Sequence, residues 1–107
     1  MQCVTIVYPN KDGATFNFDY YLNQHIPMAV KLFGNGIEVR KGISSQTGPS
    51  VPYVCICRIR INSLPEYLAI MTQDGGELIA DVPNYTNIEP VVQIDEVVLD
   101  TVMNPAA

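Results

Sequence analysis

Six segments of regular periodicity follow one another along this 107-residue chain in the order strand, helix, strand, strand, helix, strand, and that order restricts the fold more than any other feature. QCVTIVY is β-rich and gives way to the turn-forming PNKDGA. Helical periodicity begins after Asn17, an N-cap, with Asp19 in the first turn where the helix dipole favours an anion. It runs to about Phe33 and stops at Gly34. GIEVRKGIS alternates as a half-buried strand, QTGPSVP is a loop, and YVCICRIRI is the strongest strand of the chain. Ser63, Pro65 and Glu66 open the next helix through a capping box. Gly75 and Gly76 interrupt it, Asp74 with Glu77 restarts it, and Pro83 stops it. After the polar turn NYTN, EPVVQIDEVVLD is the last strand.

A βαββαβ chain predicts an α+β fold of ferredoxin-like type, a four-stranded antiparallel sheet with both helices on one face and the other face open. The strands read as apolar in both directions: Val4, Ile6 and Tyr8 oppose Cys3, Thr5 and Val7, while Val92, Ile94 and Val98 oppose Val91, Val97 and Leu99. A soluble monomer avoids so large an apolar patch, so the pattern predicts a homodimer with sheets packed face to face. No repeat or linker divides the chain, which fits a single domain over residues 1–107. A chain of this length buries only roughly 60–70% of its unfolded surface, and a dimer would add to a thin core.

The charge balance narrows the partners. Six basic and eleven acidic side chains give a formal net charge of −5, which argues against nucleic acid. Arg40 with Lys41, and Arg58 with Arg60, lie in strand-like segments and form no long run, so an anionic membrane surface is disfavoured too. No apolar stretch approaches the ~20 residues that span a bilayer. The opening MQCVTIVYPN lacks a basic region and a small-residue cleavage site, so no signal peptide is expected. Three cysteines, an odd count, fit a reducing compartment, and a cytoplasmic protein is expected. Cys55 and Cys57 share a strand face as inert core thiols, and C-x-C without further Cys or His ligands is a weak metal signal.

His25 is the only histidine, two residues before Pro27 in a helical pattern. Tyr21 and Leu22 precede it, and Met28, Ala29 and Leu32 follow, at the spacings of one apolar stripe facing the sheet. Pro27 removes the amide that would bond the Asn23 carbonyl and is expected to kink the helix. One reading is a core histidine bonded to a backbone carbonyl. The other is a base at the mouth of a helix–sheet pocket, neutral near pH 7 because burial without a carboxylate partner disfavours the cation. Tyr20 and Tyr21 could supply a phenolic donor or simply pack. A second constellation, DVPNYTNIEP, offers Asn84, Tyr85 and Thr86, with Gln93 and Asp95 on one face of the following strand; local turn chemistry is the competing explanation. With one histidine there is no His-based metal cluster, and no dinucleotide fingerprint, P-loop or nucleophile elbow occurs, so neither metal nor cofactor is expected.

FDYYLNQHIP and ELIADVPNYTNIEPVVQIDEV, in that order and at that separation, resemble the two signature segments of the EthD family, named for a small protein needed in ethyl tert-butyl ether degradation. The resemblance extends over nearly the whole chain, including VTIVYPN and PYVCICRIRINSLPEYLAIM. It implies a dimeric α+β barrel and a role beside a monooxygenase system, loosely classed as an oxidoreductase. Similar barrels include cofactor-free monooxygenases, muconolactone isomerases and aromatic polyketide cyclases, which bind small, largely apolar molecules between helices and sheet. The family's tyrosine–tyrosine and histidine–x–proline pattern maps onto Tyr20, Tyr21, His25 and Pro27, and its asparagine–tyrosine pair onto Asn84 and Tyr85.

These readings converge on a small hydrophobic ligand in a helix–sheet cleft. In an enzyme, a cofactor-independent oxidoreductase, isomerase or cyclase, His25 would be the acid–base group and Tyr21 or Asn84 would hold the developing oxyanion. Tyr20, Asn84, Tyr85 and Gln93 would contact the ligand. The alternatives are a non-catalytic carrier or accessory protein of an oxygenase system, and a structural dimer with a vestigial cleft. A cavity of about 300 Å³ or more at His25 would favour either of the first two.

Overall fold

The computed structural model describes residues 1–102, so the end of the 1–107 domain expected from sequence lies outside the described residues. Strands β1 (Gln2–Pro9) and β3 (Tyr53–Ile61) run antiparallel at the centre of a four-stranded sheet. β2 (Ile37–Lys41) pairs with β3 and β4 (Val91–Glu96) with β1, giving the order β2-β3-β1-β4. This is the antiparallel α+β arrangement that the segment order predicts. Among the described residues no helix is long and apolar enough to cross a membrane.

The first helical region departs from the simple kink expected at Pro27. It opens as α1 (Phe18–Tyr20), whose Tyr20 amide donates to the Asn17 side chain at 3.0 Å, continues as a π-helical turn (Tyr21–His25), and resumes as α2 (Ile26–Phe33). The Ile26 amide bonds the Tyr21 carbonyl, five residues back, just where Pro27 lacks the donor that a regular ladder needs. The wider turn changes which residues share a face. Tyr21 and His25, four apart, are both buried, whereas Leu22, placed on the apolar stripe by α-helical spacing, is 47% exposed. Gly34 ends α2 at φ 85°, a conformation that L side chains rarely adopt.

In the second helical region Ser63 caps α3 (Leu64–Asp74) by accepting from the Glu66 amide at 3.2 Å, as the capping box predicts. The restart differs. Gly75, not Asp74, occupies the N-cap of α4 (Gly76–Asp81), and a 3-10 turn (Val82–Asn84) carries the chain past Pro83. β4 is also shorter than the sequence pattern suggests: it ends at Glu96, and segment 97–102 runs on beyond it, held by a bond from the Val97 amide to the Met1 carbonyl at 2.8 Å.

Strand alternation sorts the core. Val4, Tyr8, Cys55, Cys57 and Ile59 lie buried under the helices, packed with Tyr21, Ile26, Phe33 and Tyr67. Burial pushes the Cys55 thiol up to about 12, so the two strand thiols are inert at neutral pH. The open face is less apolar than expected. Val7, Ile56 and Val91 occupy one end, but Thr5, Glu38, Arg58, Gln93 and Asp95 fill the other, with Thr5 bonded to Asp95.

Candidate functional site

The 81–88 turn is pinned to the segment before α1, and this pinning builds the site. Phe16 and Thr86 form a β-bridge, and the Asn17 amide donates to the Tyr85 carbonyl at 2.8 Å. Thr86 Oγ1 donates to the Thr15 carbonyl at 2.7 Å, while Asn87 accepts from the Thr15 amide and donates to the Gly13 carbonyl, each at 2.9 Å. Structural hydrogen bonding therefore accounts for Thr86 and Asn87, but it runs to the 13–15 segment rather than within the turn. It leaves Asp81, Asn84 and Tyr85 facing the π-helical turn.

There they meet His25. Its Nδ1 lies 2.9 Å from Asp81 Oδ2, and the other Asp81 oxygen accepts from the Tyr20 hydroxyl at 2.6 Å and from Asn84 Nδ2 at 2.9 Å. His25 Nε2 stands 3.5 Å from the Tyr85 hydroxyl, which in turn lies 2.8 Å from the Tyr8 hydroxyl. The imidazole is also clamped between rings: Tyr21 stacks on it at 5.4 Å and 15°, and Tyr85 leans on it at 4.7 Å. Among the described residues no buried side-chain nitrogen or oxygen lacks a partner.

The expectation that His25 has no carboxylate neighbour is thus corrected by Asp81, 56 residues away in sequence. The neutral imidazole is favoured all the same. Burial lowers the His25 pKa from its ordinary 6.5, and the pull of Asp81 offsets this only in part. Burial would raise the Asp81 carboxyl, but the bonds from Tyr20, Asn84 and His25 outweigh it and hold the group below its ordinary value. The pair is therefore an ionised carboxylate accepting from a neutral imidazole at Nδ1, which leaves the lone pair on Nε2 directed at Tyr85. Burial, followed by the bond to Tyr8, raises the Tyr85 phenol far above the usual range, so it acts as a donor.

The other residues expected at the site divide. Tyr20 and Asn84 belong to it as partners of Asp81. Tyr21 borders it through its ring, but its hydroxyl lies against the Cys57 thiol and the Tyr8 phenol rather than toward a ligand. Gln93 is not part of it: it pairs opposite Thr5 on the open face and donates to Asp95 at 2.6 Å. Asp81 and Tyr8 are the members that sequence reasoning missed. Among the described residues no group of three or more His, Cys, Asp or Glu side chains could hold a metal ion.

A cleft of about 390 Å³ is lined by Phe16, Asn17, Asn84, Tyr85, Thr86 and neighbours; Tyr85 is only 3% exposed, and its hydroxyl turns inward to Tyr8 and His25. His25 itself is 8% exposed and does not line that cleft.

Protonation of this site should cost stability. Because His25 titrates below 6.5 in the fold, the unfolded chain binds the extra proton first as pH falls. The stabilisation is complete above about 6.5 and is lost as pH drops through the lowered folded value. The depressed Asp81 has the same sign at lower pH. Thermal melts at constant ionic strength should show a falling midpoint from pH 7.5 toward pH 5, roughly the range in which histidine titrates. His25→Gln should flatten that fall; an unchanged profile in the variant would contradict the assignment.

Comparison with known proteins places this geometry in context. No family model matches the sequence, and a search of curated proteins finds no match. Solved structures do match. A crystal structure of an EthD-like protein from Ralstonia eutropha superimposes with a TM-score of 0.85 at 33% identity, over 95% of this chain and 96% of that one. An ethyl tert-butyl ether degradation (EthD) family protein from Bacillus halodurans matches with a TM-score of 0.65 at 18% identity, over 91% and 98% of the two chains. HapK from Hahella chejuensis shares the fold, with a TM-score of 0.53 at 13% identity over 94% and 96%.

Proposed function

The chain belongs to the EthD family, and we propose that it binds a small hydrophobic metabolite carrying a carbonyl or phenol in the cleft at Asn84 and Tyr85, and moves a proton on it without a bound cofactor. The observation that carries this reading is the hydrogen-bonded series Asp81–His25–Tyr85, whose last residue also borders the cleft. Asp81 fixes the imidazole tautomer, and Tyr20 and Asn84 fix Asp81. The contact of Nε2 with Tyr85, at 3.5 Å, is long for a hydrogen bond and cheap to exchange. When a ligand oxygen accepts the Tyr85 O–H instead, Nε2 is freed to take a proton from the adjacent C–H or O–H. The negative charge left on the ligand oxygen is then held by the Tyr85 donor, and the imidazolium by Asp81. Asn84 keeps its carbonyl oxygen for the ligand, since its amide donates to Asp81.

A second reading, a carrier or accessory protein of an oxygenase system that performs no chemistry, draws support from the burial of His25 with both ring nitrogens engaged. We also propose that the protein acts as a homodimer. The edge strand β4 leaves Val91, Val92 and Ile94 at 55, 50 and 38% exposure, an apolar edge that a second copy would cover.

One set of measurements tests all three points. Native mass spectrometry of the purified protein identifies a retained molecule and the oligomeric state, and incubation with excess of that molecule is followed for product. Conversion with turnover supports the enzyme, and tight binding without conversion supports the carrier. A strictly monomeric mass across concentrations sinks the dimer.

A further inference from the structure

Beside His25, the acceptors Nε2, Tyr85 Oη and Tyr8 Oη compete for the protons of the Tyr85 and Tyr8 hydroxyls. Nδ1 donates to Asp81, so Nε2 can only accept, and among the described residues the Tyr85 hydroxyl at 3.5 Å is the donor within its reach. That hydroxyl carries a single proton and also lies 2.8 Å from the Tyr8 hydroxyl. Two arrangements satisfy the distances. In the first, Tyr8 donates to Tyr85 and Tyr85 donates to Nε2. In the second, Tyr85 donates to Tyr8, and its oxygen faces Nε2 with a lone pair. The first suits a neutral imidazole; the second suits an imidazolium, whose Nε2–H needs an acceptor. Only the two hydroxyl protons turn between them. Tyr8 and Tyr85 are 2 and 3% exposed, so each hydroxyl depends on the other rather than on solvent. Burial pushes the Tyr8 phenol up to about 12 and raises Tyr85 too, so near neutral pH neither ionises and only the direction of each O–H changes.

We propose that Tyr8 is a positioning residue of the His25 site that acts through Tyr85: its hydroxyl accepts the Tyr85 O–H when Nε2 is protonated and donates to Tyr85 when Nε2 is free. The inference deepens the acid–base reading and rests on it for its catalytic consequence, whereas the hydrogen-bond count stands without turnover. Tyr8 can take both parts because its own proton has a second destination. On the sheet it meets the Tyr21 hydroxyl, with the Cys55 and Cys57 thiols beside it. The rings of Phe16, Tyr21 and Tyr85 pack against its own and hold the phenol in place. Other groups cannot take over the role. Asp81 faces the imidazole from α4, Tyr21 from the π-helical turn and Tyr85 from the turn after α4, and among the described residues Asp81 is the charged group against it. Asp81 is held below its ordinary value, so it stays ionised while His25 titrates and its charge is common to both states. What changes is the phenol pair. With a ligand oxygen in place of Nε2, donation from Tyr8 polarises the Tyr85 O–H and strengthens its bond to the developing oxyanion.

The full chain, isotope-labelled, is titrated through the histidine range while its single imidazole is followed by NMR. Tyr8→Phe keeps the ring and should lower the His25 midpoint by about one pH unit, because the charged imidazole then meets an O–H with no buried acceptor to turn to. In a Tyr85→Phe background the same substitution should shift the midpoint by less than about a quarter of that, since the path through Tyr85 is gone. The parent protein gives a second readout that needs no variant. Its Tyr8 ring carbon bearing the hydroxyl should shift with the His25 midpoint as the O–H turns, which decides the matter even where Tyr8→Phe does not fold. A midpoint unmoved or raised in Tyr8→Phe, an equal shift in both backgrounds, or a Tyr8 carbon that does not follow His25 would overturn the proposal. With a substrate in hand, the acid limb of kcat/KM in Tyr8→Phe should move down with the imidazole midpoint. Turnover that survives His25→Gln overturns the acid–base reading instead, and the coupling measured by NMR does not depend on it.

Discussion

Replacing His25 with alanine should lower the turnover of the molecule identified with this protein by a factor of about 10²–10⁴, the usual contribution of a positioned general acid–base group. The size follows from the absence of a substitute: the chain has one histidine, and the nearest phenol, Tyr85, is held far above the pKa at which it could act as a base. His25→Gln is the sharper variant. Its amide can still donate to Asp81, so the network is largely preserved while the basic nitrogen is gone. Asp81→Asn should fall in the same range by a different route. An asparagine amide facing Nδ1 favours the tautomer with the proton on Nε2, where it cannot accept. Rates within about twofold of the parent in all three, with unchanged circular dichroism, would remove His25 from the chemistry and leave the carrier reading. A loss of binding without a loss of rate per bound molecule leads to the same conclusion.

Much of the architecture was legible because it rests on local rules. Periodicity gave the order of the elements, and Asn17, Ser63 and Gly34 marked ends that the structure keeps. Pro27 signalled a disturbance, yet not its form: the missing donor is accommodated by a π-helical turn, which carries Leu22 out to solvent and aligns Tyr21 with His25. Facts that depend on register were out of reach. Gln93 sits on the open face because Ile94 pairs with Val4, and no local signal decides that pairing. Asp81 was in view as part of a polar turn, but its partnership with His25 depends on how α4 docks beside the first helix. Tyr8 alternates correctly with Val4 and Ile6, while its contact with Tyr85 spans 77 residues.

Tyr21 provides the second large effect, and it separates a packing role from a catalytic one. Its side chain is 1% exposed and touches the rings of Tyr8, Phe16, His25 and Tyr85. Tyr21→Ala should therefore cost about 3–5 kcal/mol, the range for removing a buried aromatic side chain. At about 4–8 °C per kcal/mol for a domain near this size, the melting midpoint should fall by well over ten degrees, readable by calorimetry. Tyr21→Phe keeps the ring and loses only a hydroxyl that meets a thiol and a phenol on the sheet. It should cost about 1 kcal/mol or less and leave turnover close to that of the parent. If the hydroxyl instead held the developing oxyanion, Tyr21→Phe would lose about 10²–10³ in rate with little loss of stability. The orientation of the hydroxyl toward Cys57 favours the first outcome, in which Tyr21 acts on the site by clamping the imidazole rather than by touching a ligand.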